Sequence, residues 1–237
     1  TSDEVVEDVV VDASGNAVVT GFTFSGDFPS TPGVWEPTFR SVPFLESDGF
    51  VARVSATAQT LHYATFVGGQ SSEQLLSVDL DPTTGDVLVG GWTQSADFPA
   101  TPNAYGTSNI GDVEIIVVRL NANATSAVFA TYLGGVLGEN ANDVRFATDG
   151  SVWVAGRTNS TNFPVSATAP QQTLAGAFDG FVSHLSANGQ SLLFSTLLGG
   201  PGVDSVRGLD VGAGTIAIVG HAGPGFPVTA NPIQAQF

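Results

Sequence analysis

A repeat of about 65 residues is the feature of this sequence that most limits how the chain can fold. Each full copy contains a turn followed by an apolar run, a Phe-Pro corner, a second apolar segment and a segment that ends in Gly-Gly. The glycine after the first apolar run recurs at intervals of 70, 65 and 64 residues, as Gly21, Gly91, Gly156 and Gly220. A fixed period of this length is typical of arrays in which each unit stacks on the next.

Residues 1–237 are interpreted as one array with copies at approximately 1–69, 70–135, 136–200 and 201–237, the last of them incomplete. The second copy predicts strands at about 75–80, 86–92, 113–120 and 127–133, because these stretches are rich in β-branched and aromatic residues between turn formers. Gly85-Asp86 and its counterparts predict a tight connection between the first two strands. No stretch shows sustained apolar spacing at the helical period.

Several predicted strands are apolar on both faces, such as AVVTG at 17–21, VLVGG at 87–91 and IIVV at 115–118. A strand covered on one side alternates apolar and polar residues, so these strands must be covered on both sides by stacked sheets. The predicted fold is all-β, a β-propeller-type array of four-stranded antiparallel blades, with about 3.5 blades present and the ring incomplete. A linear stack of sheets is the alternative.

The Phe-Pro corner follows the second strand in every copy, as in SGDFPSTP at 25–32 and SADFPATP at 95–102. Its Phe is expected to fill the gap between neighbouring sheets, and its Pro to end strand pairing. Asp27, Asp97 and Asn162 lie beside the corner and are either calcium or sugar ligands or, as we favour, acceptors for turn amides. Residues assigned a structural role by their recurrence are Phe28, Pro29, Phe98, Pro99, Phe163, Pro164, Gly69, Gly135 and Gly200.

Charge and residue usage exclude several functions. The chain has 22 acidic residues against six Arg and no Lys, for a net charge of −16, and such a surface repels nucleic acid. The absence of Cys excludes disulfides, thiolate metal sites and a cysteine nucleophile. Met is absent as well, and a chain without either oxidisable residue suits an extracellular location. No apolar run approaches the roughly 18–20 residues of a spanning helix, so membrane insertion is not expected.

The histidines form no recognisable metal or catalytic motif. His62, His184 and His221 share no HxH or HExxH spacing, and the chain has no GxSxG, P-loop or EF-hand motif. We interpret His62 as a core or edge packing residue, because the other copies have Val128 and Leu193 there. A Ser-His-Asp arrangement stays open, since its order in a sequence is free. We predict that the chain needs no metal or cofactor and is not an enzyme.

Candidate ligand contacts are aromatic or basic side chains outside the expected core. Trp35 and Tyr105 lie in the long links after the corner, where their rings would stack on a sugar. Arg157 and His221 occupy equivalent positions directly after the glycine of the repeat. These four residues are predicted to contact a ligand, with carbohydrate as the candidate class.

A sialidase-type site would need more than these four residues. Arg145, Arg157 and Arg207 would bind a substrate carboxylate if they converged. Glycosidase chemistry also needs two carboxylates about 5–10 Å apart. The sequence singles out no such pair.

The motifs follow the order D-x-x-G-N-φ-φ-V-x-G, T-x-S-x-D-F-P-x-T, D-x-F-V-x-[KR]-[LV] and Y-x-T-x-L-G-G. In the first copy they are carried by Asp12, Gly15, Asn16, Gly21, Thr23, Ser25, Asp27, Phe28, Pro29, Asp48, Phe50, Val51, Arg53, Tyr63, Thr65, Gly68 and Gly69. This order resembles the SBBP repeat, the bacterial beta-propeller repeat of large secreted and surface proteins, in three full copies and half of a fourth. The resemblance implies a propeller within a long extracellular chain and no shared catalytic or cofactor residues.

Three features depart from the repeat pattern. His184 stands where the first two copies have Arg53 and Arg119, Glu114 replaces the strand-opening Asp, and the first copy carries the insertion RSVPFLE at 40–46. These departures affect single copies and leave the order of the motifs intact.

The expected function is a non-enzymatic structural or interaction module of an extracellular or cell-surface bacterial protein or assembly. The alternatives are a lectin-like carbohydrate-binding adhesin domain and a propeller glycoside hydrolase of the sialidase type. Closed propellers have about four to eight blades, so about three and a half cannot close a ring unaided. We therefore expect a protein partner or the remainder of a longer chain to complete the array.

Overall fold

The computed structural model describes residues 2–212 and 214–228, in which the regular elements are all β-strands. Sheet 1 consists of β1 (Glu4–Val11), β2 (Ala17–Thr23), β3 (Asp48–Val54) and β4 (Leu61–Val67). Sheet 2 consists of β5 (Glu73–Leu80), β6 (Val87–Thr93), β7 (Glu114–Leu120) and β8 (Ala127–Leu133). Sheet 3 consists of β9 (Glu139–Phe146), β10 (Val152–Thr158), β11 (Asp179–Leu185) and β12 (Leu192–Leu198). Sheet 4 has two described strands, β13 (Ser205–Gly212) and β14 (Thr215–His221).

Every sheet is antiparallel, and its strands follow chain order from one edge to the other. Contacts between neighbouring sheets concentrate on the first strands, β1 with β5, β5 with β9 and β9 with β13, so the sheets converge on that side. Within the described residues they form an open propeller-type array, which confirms the predicted fold class. The strands predicted in the second copy are confirmed to within two residues. Residues 229–237 of the fourth copy lie outside the described residues.

The described part of the chain has no helix that is long and apolar enough to cross a membrane.

The turns between the first two strands of a sheet depend on glycine. Gly15, Gly85 and Gly150 have φ angles of 81°, 74° and 79°, a region that residues with a Cβ rarely adopt. In sheet 1 the carboxylate of Asp12 accepts the backbone amide of Asn16 at 2.9 Å across the same turn. The predicted tight connection is therefore confirmed.

The core lies between the sheets. One cluster joins Val18 and Val51 of sheet 1 to Leu75 and Val89 of sheet 2, and a second cluster joins sheets 2 and 3 in the same way. Strand β7 is buried along its whole length, as its apolar residues on both faces predicted. Each large apolar side chain that is fully buried contributes about 1.5–3 kcal/mol, so stacking is the main source of stability.

The Phe of each corner packs where two sheets meet. Phe98 is 4% exposed, belongs to the cluster between sheets 1 and 2, and lies 5.5 Å from Tyr132 between ring centroids. Phe163 is also 4% exposed and packs between sheets 2 and 3, 4.7 Å from Phe181. Phe28 is half-buried, because no described sheet lies on the other side of sheet 1.

Proline does not end the second strands, contrary to the prediction. These strands end six residues before the corner prolines, which are exposed at Pro29 and half-buried at Pro99 and Pro164. A threonine hydroxyl ends them instead. In sheet 2 the Oγ1 of Thr93 accepts the amide of Ser95 at 2.9 Å, which turns the chain away from the ladder, and the other full sheets repeat this contact.

We expect Phe98→Ala to destabilise the chain by about 3–5 kcal/mol, because it leaves a cavity between two packed sheets. The matched control is Phe28→Ala, which removes the same side chain from an equivalent, half-buried position and should cost clearly less. Chemical denaturation measures both free energies of unfolding. A cost below about 1 kcal/mol for Phe98→Ala, or equal costs for the two variants, contradicts this packing.

Candidate functional site

The long links hold two of the four predicted ligand contacts. The backbone amide of Trp35 donates to the carbonyl of Ala124 in sheet 2, and that of Tyr105 to the carbonyl of Gly189 in sheet 3, both at 2.8 Å. Each link thus ties its sheet to a turn of the next one. The ring of Trp35 is half-buried against the core cluster, whereas Tyr105 is 38% exposed. Tyr105 is therefore the more accessible aromatic ring.

Tyr105 faces a cleft of about 450 Å³ at one end of sheet 2. Its other lining residues include Thr107, Ser108, Ile110 and Asn162. This combination of an aromatic ring with hydroxyl, amide and apolar groups is typical of sites for small polar ligands. Burial raises the pKa of the Tyr105 hydroxyl, which therefore stays a neutral hydrogen-bond donor at physiological pH.

The other two predicted ligand contacts have separate partners. The guanidinium of Arg157 lies 4.9 Å above the ring of Phe178, a cation–π contact. His221 is exposed, and its Nδ1 lies 2.9 Å from the carbonyl oxygen of Val203. Among the described residues, no hydrogen bond, ion pair or ring contact joins any two of the four, so the structure does not assemble them into one site.

The three arginines considered for a carboxylate site are also separate. Arg145 pairs with Asp143 at 2.6 Å on the first strand of sheet 3, and Arg207 is exposed on β13. Arg145 lies opposite Trp153 of β10 in the strand register. Arg157 lies four residues further along β10, a separation of about 13 Å.

Arg119 on β7 is a tie between sheets 2 and 3. Its guanidinium pairs with Asp86 at 2.8 Å and with Asp81 at 3.2 Å in its own sheet. The same group donates to the carbonyl of Gly150 at 3.1 Å and lies 5.0 Å above the ring of Phe146, both in sheet 3. The group therefore closes the turn end of one sheet against the next.

Sheet 3 lacks this arginine tie. In sheet 1 Arg53 pairs with Asp12, as Arg119 pairs with its acids, but sheet 3 has Ala147 and His184 at the two positions. Acid and base are thus replaced together. His184 instead stacks on Trp153, with ring centroids 4.1 Å apart and an interplanar angle of 4°, and burial lowers its pKa.

Asp149, Ser151 and His184 form a hydrogen-bonded chain at the junction of sheets 3 and 4. The Oγ of Ser151 donates to Asp149 and lies 2.7 Å from Nε2 of His184. Because the serine hydroxyl donates its hydrogen bond to the carboxylate, the imidazole must donate to the serine oxygen. In a catalytic triad the serine instead donates to the imidazole, which takes its proton. Ser151 is also buried. The serine, histidine and aspartate that the sequence analysis left open as a triad do meet here. The order of their hydrogen bonds does not activate the serine.

Buried carboxylates recur where neighbouring sheets meet, and the sequence analysis missed them. One set accepts the amide of the second glycine of each Gly-Gly pair, at 2.9, 3.2 and 2.9 Å: Glu73, Glu139 and Asp204. The other set begins the third strands and accepts amides of the links: Asp48, Glu114 and Asp179. The sequence signal was a repeated G-G-x-x-x-[ED], four residues from glycine to acid.

The Gly-Gly pairs leave no room for a side chain. A Cβ at Gly69 would lie 2.5 Å from the Cβ of Ser95, and one at Gly135 would lie 2.4 Å from that of Ser160. At Gly200 it would lie 2.3 Å from a backbone carbonyl. These glycines allow the connection to the next sheet to pass close to the corner.

Asp97 and Asn162 accept backbone amides, as we favoured. Asp97 accepts the amide of Gln70 at 2.9 Å and pairs with Arg40 at 2.9 Å, and Asn162 accepts the amide of Val136 at 3.1 Å. Within residues 2–212 and 214–228, no group of three or more His, Cys, Asp or Glu side chains is arranged to hold a metal ion.

His62 is exposed near the start of β4, and its equivalents Val128 and Leu193 are exposed as well. This position lies on the outer edge strand of each full sheet. The core interpretation of His62 is therefore wrong and the edge interpretation is right.

Burial changes the acidity of the carboxylates that lie where neighbouring sheets meet. Desolvation raises the pKa of Glu73 to about 7, to which the nearby charge of Asp48 adds. Desolvation also raises the pKa of Glu114 to about 7, with a further contribution from Glu139. The pKa values of Asp48 and Glu139 are raised for the same first reason.

We expect stability to fall as pH rises from about 4.5 to above 7. In this window the folded chain binds more protons than the unfolded chain, because its carboxyl pKa values are raised, so unfolding becomes easier with increasing pH. The loss should be on the order of 3 kcal/mol for each of Glu73 and Glu114. Urea denaturation at several pH values measures the slope.

Glu73→Gln should flatten this slope, because the amide does not titrate. A wild-type stability that rises between pH 5 and pH 8 contradicts the assignment.

The uncovered face of sheet 1 is the largest departure from repeat symmetry. Val6, Val9 and Val11 on β1 are 58%, 55% and 60% exposed. Register with the second strand shows which residues take the place of Val6 and Val9 in the other sheets. All are buried against the preceding sheet: Leu75, Ala141 and Val206 for Val6, and Val78, Val144 and Leu209 for Val9.

No family model matches this sequence, and no curated protein shows significant similarity to it. The resemblance to the SBBP repeat therefore stays a prediction.

Proposed function

We propose that this chain is a structural and interaction module whose uncovered sheet faces bind further blades of the same kind. The observation that carries the proposal is the valine face of β1, defined by Val6, Val9 and Val11. In the other three sheets the equivalent residues form the sheet-to-sheet interface. Three valines more than half exposed on one strand form a contiguous apolar patch, which marks interaction sites on protein surfaces.

A polar group beside the valine face also corresponds to groups that lie at the interfaces between the other sheets. Glu4 corresponds to Glu73 and Glu139, which accept an amide from the Gly-Gly pair of the preceding sheet. Glu4 itself is exposed and its Oε1 lies 3.4 Å from the hydroxyl of Thr23. A preceding blade with a Gly-Gly pair would supply the amide that the two buried glutamates already have. The valine face therefore combines an apolar surface with a hydrogen-bond acceptor, at the positions that these groups occupy in the interfaces between the other sheets.

The groups that would support catalysis have structural contacts instead. The buried carboxylates Glu73 and Glu139 accept backbone amides, which favours a role in closing sheet junctions over contact with a substrate. The hydroxyl of Ser151 donates its hydrogen bond to the carboxylate of Asp149, and Ser151 is buried. These observations support a non-enzymatic module over a sialidase-type hydrolase.

The finer parts of this proposal rest on the sequence. The SBBP-like motif order, the net charge of −16 and the absence of Cys and Met support a secreted or cell-surface bacterial protein. In that setting stacked blades act as a spacer or scaffold within a longer assembly.

The isolated chain is expected to associate through the valine face at micromolar concentration, and light scattering should give a mass above the 24.2 kDa of one chain. Val6→Asp combined with Val9→Asp should return the mass to that of a monomer, because buried unpaired charges oppose contact. Val128→Asp, on an exposed outer strand, is the control and should leave association unchanged. A stable wild-type monomer with cooperative unfolding contradicts the proposal.

A lectin-like role is the second candidate, and the exposed ring of Tyr105 at its cleft favours it. Wild-type and Tyr105→Ala chains would be compared on a glycan array, with Trp35→Ala as the control for a ring that is packed against the core. Loss of a specific glycan signal in Tyr105→Ala alone supports carbohydrate binding. The absence of any signal for the wild-type chain removes this candidate.

A further inference from the structure

Strand β14 has a free edge in the described structure. In sheets 1 to 3 the second strand pairs with strands on both sides, whereas β14 pairs only with β13 among the described strands. Its seven residues are all exposed, with Val219 at 69%. The outer edges of the complete sheets are covered by their own links, as where the amide of Thr101 donates to Ala130 at 2.8 Å. A free edge with unpaired backbone groups is a template for another strand.

An apolar cleft lies next to this free edge. It has a volume of about 360 Å³ and lies between the last strand of sheet 3 and sheet 4. Its walls are formed mainly by Leu198, Val206, Ile218, Gly220 and Phe226. In the complete sheets the corresponding space is filled by side chains of the third and fourth strands, such as Phe181 and Leu197 in sheet 3.

The register of the complete sheets indicates which side chain belongs in this cleft. Each second strand places its repeat glycine directly opposite a large apolar residue of the third strand. The pairs are Gly21 with Phe50, Gly91 with Ile116 and Gly156 with Phe181. A Cβ at Gly156 would lie 3.0 Å from the ring of Phe181, so the ring uses the space that glycine leaves. Gly220 is the glycine at this position in β14.

The corner phenylalanine adds a second contact to the same side chain. Phe28 lies 4.5 Å from Phe50, and Phe163 lies 4.7 Å from Phe181, between ring centroids. Phe226 is the corner phenylalanine of the fourth copy and lines the cleft. A phenylalanine opposite Gly220 would therefore meet an aromatic partner that is already in place.

The first residue of the added strand is indicated in the same way. Asp48, Glu114 and Asp179 open the third strands, and each lies opposite the last residue of the second strand, a threonine. In the fourth copy the residue two positions after the repeat glycine is Ala222, directly after the end of β14.

We propose that β14 binds an added antiparallel strand that follows the repeat's own third strand, acid-x-Phe-Val, with its Phe opposite Gly220 and its acid opposite Ala222. This inference rests on the proposed function and names the chemistry of one of its partners. A second copy of β14 does not meet the requirement, because TIAIVGH contains no phenylalanine and no acid. The occupant is therefore a third-strand segment of the same repeat type and not another β14.

The test uses a fluorescent peptide of residues 178–198, which carries a third and a fourth strand in one hairpin. It is added to the full chain with Val6→Asp and Val9→Asp, so that the valine face does not compete, and binding is followed by fluorescence anisotropy. We expect saturable binding that weakens at least tenfold with Phe181→Ser in the peptide. Leu193→Ser in the peptide, at an exposed position, should leave the affinity within about twofold. Ile218→Asp in the chain should abolish binding.

Three results overturn the inference. The first is no binding of the wild-type peptide, and the second is binding that Phe181→Ser and Leu193→Ser weaken equally. A rise in mass of the Val6→Asp, Val9→Asp chain that Ile218→Asp removes, without peptide binding, would assign the edge to a second copy and also overturns it. The first two results leave the test of the valine face unchanged, because that test concerns another sheet. The third would also contradict the monomeric mass expected there for the Val6→Asp, Val9→Asp chain.

Discussion

Apolar stacking between neighbouring sheets is the interaction on which the rest of this structure depends. A single four-stranded sheet of this size cannot bury both of its faces, yet β7 is apolar and buried along its whole length. Each sheet therefore needs a neighbour, as in other repeat proteins in which units are stable only through their interfaces. The exposure of Val6 and Val9 follows directly from this rule, because sheet 1 has no described neighbour on that side.

Polar contacts fix how the stacked sheets are aligned. The carboxylate of Asp8 on β1 accepts the amide of Val78 on β5 at 2.9 Å, and Asp143 on β9 accepts that of Leu209 on β13 at 2.6 Å. Apolar surfaces can slide, whereas a hydrogen bond to a backbone amide has a defined position. Hydrogen bonds from backbone amides to carboxylates thus join the first strands on the side where the sheets converge. Glu73 and Glu139 make the same kind of contact at the Gly-Gly connections.

Individual copies differ where the repeat has been adapted. Sheets 1 and 2 are joined to their successors by an arginine with acidic partners, while sheet 3 has Ala147 and His184 at those positions. Removing one partner of a buried ion pair is costly, so the joint replacement of acid and base is what physical chemistry requires. His184 fills its space by stacking on Trp153. Both rings belong to sheet 3, so this stack replaces the arginine tie with a contact inside one sheet.

The sequence by itself determined the class of fold, the period and the strands. Enrichment in β-branched and aromatic residues, glycine turns and runs such as IIVV at 115–118 are local properties, and local preference is enough to place strands within two residues. The tertiary structure alone decided which polar groups meet. The acids of the Gly-Gly connections lie more than twenty residues from the acids that open the third strands, and Asp8 lies 70 residues from its partner. The tertiary structure also corrected the role predicted for the corner prolines, since the hydroxyl of Thr93 ends the second strand before the proline is reached. Such contacts depend on how sheets stack in space, which short-range patterns in a chain do not encode.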